Sequence, residues 1–137
     1  MRRFFIPGAV LSLFLLGTSA AAIAETPADF LKTFEAEARQ DGGFRGFSAN
    51  RGRAFFQQTH GNDWSCASCH TKNPAVTGKH ARTNKAIRPL APSANPRRFT
   101  SARKVNKWLR RNCNDVVGRT CTAQEKGDIL TYLMSVK

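Results

Sequence analysis

The stretch Cys66-Ala67-Ser68-Cys69-His70 decides the fold that we expect for this chain. Two thiols three residues apart can form thioether bonds to the two vinyl groups of one haem, and the adjacent histidine can ligate the iron. Because this CxxCH pattern occurs once, we expect one covalent haem c, attached through Cys66 and Cys69 and ligated by His70. The alternative is a thiol–disulfide redox centre formed by the same two cysteines.

The amino terminus has the pattern of an export signal. Arg2 and Arg3 precede an apolar run, residues 9–16, and small residues follow as far as Ala24. This order is typical of a secretory signal peptide, and the run is shorter than the roughly 20 residues that span a bilayer. We therefore expect a signal peptide at residues 1–24 and one monohaem domain at residues 25–137, which is periplasmic and does not span the membrane.

The chain is strongly basic. Its 137 residues include 22 Lys and Arg against 9 Asp and Glu, and the formal net charge of +13 becomes +11 once the signal peptide is removed. In a cytosolic protein such an excess would favour nucleic acid as the partner. For an exported chain we expect no nucleic acid, and an acidic protein or an anionic membrane surface instead. The alternative is that the basic residues only cover a solvated face.

Apolar periodicity predicts helices joined by one long irregular segment. Each predicted helix begins at a Ser or Thr, residue types that commonly cap helix N-termini. These starts are Thr26, which Pro27 follows, Ser48, Thr100 or Ser101, and Thr122, which forms a capping box with Glu125. The predicted core residues are Phe30, Leu31, Phe34, Ala54, Phe55, Phe56, Ile129, Leu133 and Val136. Residues 71–99 contain four prolines and show no period, so we expect a loop around the haem. Strand signals are nearly absent, and the predicted fold class is all-α.

The third predicted helix carries a polar residue on its apolar side. Val105, Trp108 and Leu109 lie at i, i+3 and i+4, which predicts a stripe toward the core. Asn112 is the next member of this stripe, so its amide needs a partner, because an unpaired buried amide is costly. The haem iron is one candidate partner. The alternative is that Asn112 caps the carboxyl terminus of the helix.

Other residues could ligate the iron opposite His70. Small electron-carrying cytochromes c place a methionine there, but Met134, the one methionine of the mature chain, lies in the last helix, where we expect core packing. His60 lies just before the attachment site and would have trouble reaching the opposite face. His80, a lysine or an open position remain alternatives.

Cys113 and Cys121 do not form a second CxxCH. In an oxidising compartment we expect them to pair as a disulfide, which for so short a loop stabilises by roughly 2–3 kcal/mol in the chain-entropy model. The bridge would fix the end of the helix that carries Asn112. A redox-active thiol pair is the alternative.

Two stretches resemble the SHP-type cytochromes c, an oxygen-binding monohaem family. They are residues 89–100, PLAPSANPRRFT, and residues 105–121, VNKWLRRNCNDVVGRTC, and with the CxxCH the similarity covers nearly the whole mature chain. The resemblance implies a small class I-like cytochrome c fold wrapped around one haem c. It also implies that Asn112, immediately before the first disulfide cysteine, is the sixth iron ligand. The departure lies between His70 and Lys85, which leaves the role of His80 open.

These features predict a periplasmic monohaem c-type cytochrome that accepts electrons and binds O₂, NO or CO. A neutral amide is a weak iron donor, so we expect reduction to loosen Asn112 and open the sixth position to these gases while His70 stays bound. The resemblance implies a dihaem cytochrome c and a membrane cytochrome b as electron donors. An acidic donor could dock on exposed basic residues of the third helix, which are Arg103, Lys104, Lys107, Arg110 and Arg111. The alternative function is an enzyme for nitric oxide dioxygenation, or for reduction of peroxide or hydroxylamine.

Overall fold

The structure is a computed structural model that describes residues 24–137, so nearly all of the predicted signal peptide lies outside the described residues. Its elements in chain order are α1 (Pro27–Gln40), α2 (Ala49–Gln57), α3 (Ala67–His70), β1 (Gly78–Lys79), β2 (Ala86–Ile87), α4 (Ala102–Val117) and α5 (Ala123–Ser135). Within this part of the chain, no helix is both long and apolar enough to cross a bilayer.

The helices begin where the sequence predicts. The Thr26 backbone N–H donates to the Asp29 carboxylate at 2.9 Å, and the Ser48 hydroxyl accepts a backbone hydrogen bond at 3.3 Å one turn into α2. At α5 the capping box is complete, because the Glu125 N–H donates to the Thr122 hydroxyl at 3.2 Å and the Thr122 N–H donates to the Glu125 carboxylate at 2.8 Å. These local bonds satisfy N–H groups that the first turn of a helix leaves without partners.

The core lies around α5, which packs against α1 and α2. One apolar cluster is made of Phe30, Phe34, Val105 and Leu130, and a second is made of Phe56, Ile129, Tyr132 and Leu133. Three predictions about burial are wrong: Ala54 is exposed, Trp108 is 47% exposed and Met134 is 40% exposed. Ala54 lies two residues from both Gly52 and Phe56, the buried residues of α2, and therefore on the opposite side of that helix, and Met134 lies in the last turn of α5.

Helices α2 and α5 meet almost backbone to backbone. A Cβ added to Gly52 would overlap the Asp128 carbonyl oxygen, so a side chain at this position would push the two helices apart. The buried Asp128 carboxylate is paired beside this contact, with the Arg51 guanidinium at 2.9 Å and with the Ser48 N–H at 2.7 Å. Burial of this charge is tolerated because its oxygens are bonded.

The predicted loop over residues 71–99 is irregular except for one short hairpin. Strands β1 and β2 pair antiparallel, with Gly78 opposite Ile87 and Lys79 opposite Ala86. Two-residue strands show no alternating pattern, and for this reason the sequence did not indicate them. The fold is otherwise helical, as predicted.

Candidate haem-attachment site

The attachment residues lie on one helical turn. Cys66 is the N-cap of α3, and its carbonyl accepts backbone hydrogen bonds from Cys69 at 3.3 Å and from His70 at 3.0 Å. Residues three and four apart on a helix project from the same face, so both thiols and the imidazole are directed to one side. Thr71 then ends the turn with a φ of +61°, an uncommon conformation for a β-branched residue.

Burial shifts the ionisation of two side chains at this turn. Burial, together with the nearby charges of Arg98 and His80, lowers the pKa of His70 to about 4. The imidazole is therefore neutral at pH 7, which is the form that binds a metal. Burial likewise raises the pKa of Cys66 to about 11, so this thiol stays protonated.

The hairpin covers the second cysteine. A Cβ added to Gly78 would overlap the Cys69 carbonyl oxygen and lie 3.0 Å from the Cα of His70, so only glycine allows β1 to lie this close. The backbone N–H of Ala81 donates to the Cys69 sulfur at 3.4 Å. The hairpin therefore shields one side of the attachment turn.

Apolar side chains surround the first cysteine. Half-buried Cys66 and Ala67 pack against the second core cluster, and so do Leu90 and Phe99 from the irregular segment. Such surroundings suit a large apolar macrocycle. Cys66 and Cys69 are the free cysteines of the described residues, so both sulfurs are available to form thioethers.

Asn112 lies in the interior of α4, within its apolar stripe. Val105 is buried, and Leu109, Asn112 and Val116 are half-buried at the same 3.6-residue spacing. The helix continues to Val117 and ends at Gly118, which has a φ of +80°. The alternative that Asn112 caps this helix is therefore wrong, because the left-handed cap position is six residues further on. Among the described residues, the Asn112 amide has no side-chain hydrogen bond.

Cys113 and Cys121 form a disulfide in the structure, as predicted. The bridge joins the last turns of α4 to the start of α5. Arg119, within the closed loop, donates to the Glu125 carboxylate at 2.8 and 2.6 Å. The segment after Asn112 is thus fixed to α5 by a covalent bond and an ion pair.

The two other histidines are engaged in local structure. The His60 ring bonds the Phe55 carbonyl at 2.8 Å through Nε2. His80 Nδ1 accepts from the backbone N–H groups of Arg82 and Thr83, each at 3.3 Å. The hairpin that carries His80 packs against α3, which carries His70. Both of these histidines thus already have hydrogen-bond partners in their own segments.

One residue of the site has no signal in the sequence. Asn62, four residues before Cys66, donates to the carbonyls of Asn114 and Asp115 in the last turn of α4, at 3.2 and 3.1 Å. The run Gly61-Asn62-Asp63 indicates only a turn, and the contact spans more than 50 residues of sequence. The loop before the attachment turn is therefore in contact with the helix that carries Asn112.

Taken together, the donor set fits a covalent haem c. Two free thiols on one turn, a neutral imidazole beside them and apolar walls are what the group requires. Cys66 and Cys69 would hold it covalently, His70 would ligate the iron, and Asn112 is the candidate for the sixth position.

The chain is similar to known proteins over most of its length. Residues 42–133 match a family described as a domain of unknown function, DUF1924. The chain is 44% identical over 137 aligned residues to the cytochrome c-type protein SHP of Cereibacter sphaeroides, covering 97% of this chain and 98% of that one. It is also 44% identical over 80 residues to cytochrome c'' of Methylophilus methylotrophus, covering 58% of this chain and 56% of the relative.

Solved structures show the same fold. Oxidised SHP, described as an oxygen-binding cytochrome c, superposes with a TM-score of 0.72 and 43% identity, over 80% of this chain and 96% of that one. Oxidised cytochrome c'' superposes with a TM-score of 0.72 and 32% identity, over 81% and 94% of the two chains. A solution structure of cytochrome c'', reported with reference to haem-ligand detachment, has a TM-score of 0.69, 32% identity, and coverage of 80% and 92%.

Proposed function

Because this chain belongs to the SHP-type monohaem cytochromes c, with one covalently bound haem c, we propose that it is a periplasmic electron acceptor that binds O₂, NO or CO where Asn112 can leave the iron. The oxygen binding attributed to SHP supports the gas-binding part of this proposal. The export pattern of residues 1–24 supports the periplasmic location.

In this proposal each residue at the haem has a defined task. Cys66 and Cys69 would hold the haem through thioether bonds, and His70 would ligate the iron as a neutral imidazole. When bound, the haem would supply a redox-active iron that can also bind a small gas. Asn112 would be a second, weak and neutral donor to the iron. Once displaced, its NH₂ group would be available to donate a hydrogen bond to a bound diatomic molecule.

The observation that carries the proposal is the placement of Asn112 within the apolar stripe of α4. The Asn112 amide is half-buried, forms no side-chain hydrogen bond among the described residues, and is not the helix cap. None of the buried side-chain nitrogen and oxygen atoms of these residues lacks a partner, so the amide atoms of Asn112 are accessible and free to bind a ligand outside the polypeptide. The iron is such a ligand.

The direct test is the substitution Asn112→Ala, compared with Asn106→Ala. Asn106 lies on the same helix but is exposed, so its loss should leave the haem spectra unchanged. We expect Asn112→Ala to give a five-coordinate, high-spin ferric haem in absorption and electron paramagnetic resonance spectra. Association of CO with the reduced variant should be faster, about tenfold for each 1.4 kcal/mol that displacement of Asn112 had cost.

Two results would overturn this function. The first is an Asn112→Ala protein whose ligand-field spectra match those of the parent, because Asn112 would then not ligate the iron. The second is a reduced parent protein whose six-coordinate, low-spin spectrum does not change when CO is added, because the sixth position would then be closed.

We further propose that the exposed basic face of α4 docks an acidic electron donor, either a dihaem cytochrome c or a membrane cytochrome b. The five basic residues named above for this helix are all exposed, on the side opposite the Asn112 stripe. Trp108, 47% exposed, lies between two of them, with Lys107 Nζ 5.5 Å and the Arg111 guanidinium 5.7 Å from its ring centre. An exposed tryptophan among cations is typical of a protein-binding surface.

Charge reversal tests the docking surface. Lys107→Glu should slow reduction by an acidic dihaem cytochrome c about tenfold at low salt, and the difference should shrink above about 0.1 M salt, where charges are screened over about 10 Å. Lys32→Glu, on the exposed side of α1, makes the same change in net charge and is the matched control. Equal rates for the two variants would show that docking does not use α4.

A further inference from the structure

The loop that leads into the attachment turn, residues 60–64, is internally bonded. The Asp63 N–H donates to the His60 carbonyl at 2.9 Å, and the His60 N–H donates to the Trp64 carbonyl, also at 2.9 Å. The His60 ring bonds the Phe55 carbonyl at 2.8 Å, which ties the loop to the last turn of α2. The loop therefore has a defined position relative to the attachment turn.

Asn62, at the tip of this loop, supplies two hydrogen bonds to α4. Its Nδ2 group donates to the carbonyl oxygens of Asn114 at 3.2 Å and of Asp115 at 3.1 Å. Both carbonyls belong to the end of the helix, where backbone carbonyl groups lack partners within the helix itself. One side-chain amide from a distant segment therefore completes the end of α4.

The two segments also approach closely at the backbone. A Cβ added to Gly61 would lie 3.3 Å from the Val117 carbonyl oxygen, and one added to Gly118 would lie 3.7 Å from Asn62 Oδ1. Gly118 has a positive φ, so it turns the chain sharply at this point. We call this contact between loop 60–64 and the end of α4 the Asn62 joint.

We propose that the Asn62 joint positions Asn112 and sets how readily this ligand leaves the iron, with Asn62 acting as a positioning residue. The inference rests on the proposed function, in which Asn112 is the sixth ligand. Asn62 precedes Cys66 by four residues, and the carbonyls that it binds follow Asn112 by two and three residues. One side chain thus connects the chain on the His70 side with the helix that provides the opposite ligand.

The physical effect of the joint is on the last turns of α4. Helix ends fray unless their free backbone groups are bonded. Without the two bonds from Asn62, fraying would reach Asn114, two residues beyond Asn112. The disulfide holds this region to α5 but does not connect it to the attachment turn. Loss of the joint therefore increases the freedom of Asn112 relative to His70 and favours the displaced state of the amide.

Substitution of Asn62 tests the joint without touching either ligand. Asn62→Ala removes both donors, and Asn62→Asp keeps the shape but directs a carboxylate at two carbonyl oxygens, at a helix end that disfavours negative charge. We expect a larger high-spin fraction in the ferric protein and faster CO association in the reduced protein. The expected rise is up to about tenfold, a factor that corresponds to 1.4 kcal/mol, with Asn62→Asp the stronger variant.

A second readout is independent of ligand exchange at the iron. Backbone amides in the last turn of α4 should exchange with deuterium faster in both Asn62 variants, as measured by nuclear magnetic resonance on the haem-loaded protein. The exposed Asn106→Ala variant is the matched control, and its spin state, CO rate and amide exchange should equal those of the parent.

The possible outcomes separate this inference from the proposed function. If Asn112→Ala changes the spin state and the CO rate but the Asn62 variants change neither, the positioning role is overturned and the proposed function stands. A lower unfolding temperature of the Asn62 variants with unchanged spectra also overturns it, because the role is then only structural. If Asn112→Ala leaves the spectra unchanged, the proposed function fails and this inference fails with it.

Discussion

The attachment turn, residues 66–70, and the end of α4, residues 112–118, are held in place by different kinds of interaction. The attachment turn provides two free thiols and a half-buried, neutral imidazole, and a hairpin packs against its backbone. The end of α4 offers a weak amide and is held by a disulfide and by the two hydrogen bonds of Asn62. Under the proposed function, this difference would let one chain keep its cofactor permanently while one ligand position stays adjustable.

The largest expected effect comes from the attachment turn itself. Cys69→Ala removes one thioether bond, and we expect the yield of stably attached haem to fall to a small fraction of the parent's. Haem staining after denaturing electrophoresis, with mass spectrometry of the intact protein, measures this loss. The variant that lacks both Cys113 and Cys121 should retain the stain. Equal staining of Cys69→Ala and the parent would remove the contrast between the two regions.

Removal of the disulfide should have an intermediate effect, confined to the end of α4. Replacing Cys113 and Cys121 by serine should lower the free energy of unfolding by roughly 2–3 kcal/mol, because the bridge closes a short loop in the unfolded chain. Urea denaturation of the haem-loaded protein measures the change. An unchanged midpoint would indicate that the bridge does not stabilise α4, and the two regions would then differ less than we infer.

The smallest effect concerns the pH dependence of the ion pair between Arg119, in the disulfide loop, and Glu125 of α5. Burial alone would raise the pKa of Glu125, but hydrogen bonds from Arg119 and from Thr122 outweigh it, and the pKa lies below its usual 4.5. The unfolded chain therefore takes up the proton first as the pH falls, and this contribution to stability is lost below about pH 4.5. We expect less than about 1 kcal/mol, since Arg119 is half exposed.

The measurement is the stability of the parent and of Glu125→Gln as a function of pH. The parent should lose more stability than the variant between pH 5 and the acid limit of folding, and the two curves should run parallel above pH 5. Parallel curves at all pH values would show that the ion pair does not contribute to holding the loop.

Features fixed by neighbouring residues were predictable from the sequence. The caps at Thr26, Ser48 and Thr122 depend on hydrogen bonds within one turn, so their residue types predicted the helix starts. The CxxCH likewise acts over five residues, and its geometry on one helical turn follows from its spacing. The disulfide was predictable because two cysteines remained once the haem pair was assigned.

Features that depend on distant contacts were not predictable in the same way. The helix α4 extends past Asn112 and ends only at Gly118, where the Asn62 joint bonds its last turn. Neither this end point nor the joint could be derived from the apolar period. The exposure of Trp108 depends on where α4 meets its neighbours. Asn62 has no local signal at all, since a turn asparagine in a Gly-Asn-Asp run is equally suited to solvent.

The close crossing of α2 and α5 at Gly52 has a consequence for how the protein matures. The contact joins two points separated by more than half of the described chain, and the attachment turn lies between them. Because α5 follows residues 66–70 in the chain, a protein exported amino terminus first presents the attachment turn before α5 can close the core. This order leaves an interval in which both thioether bonds can form before α5 packs against α2.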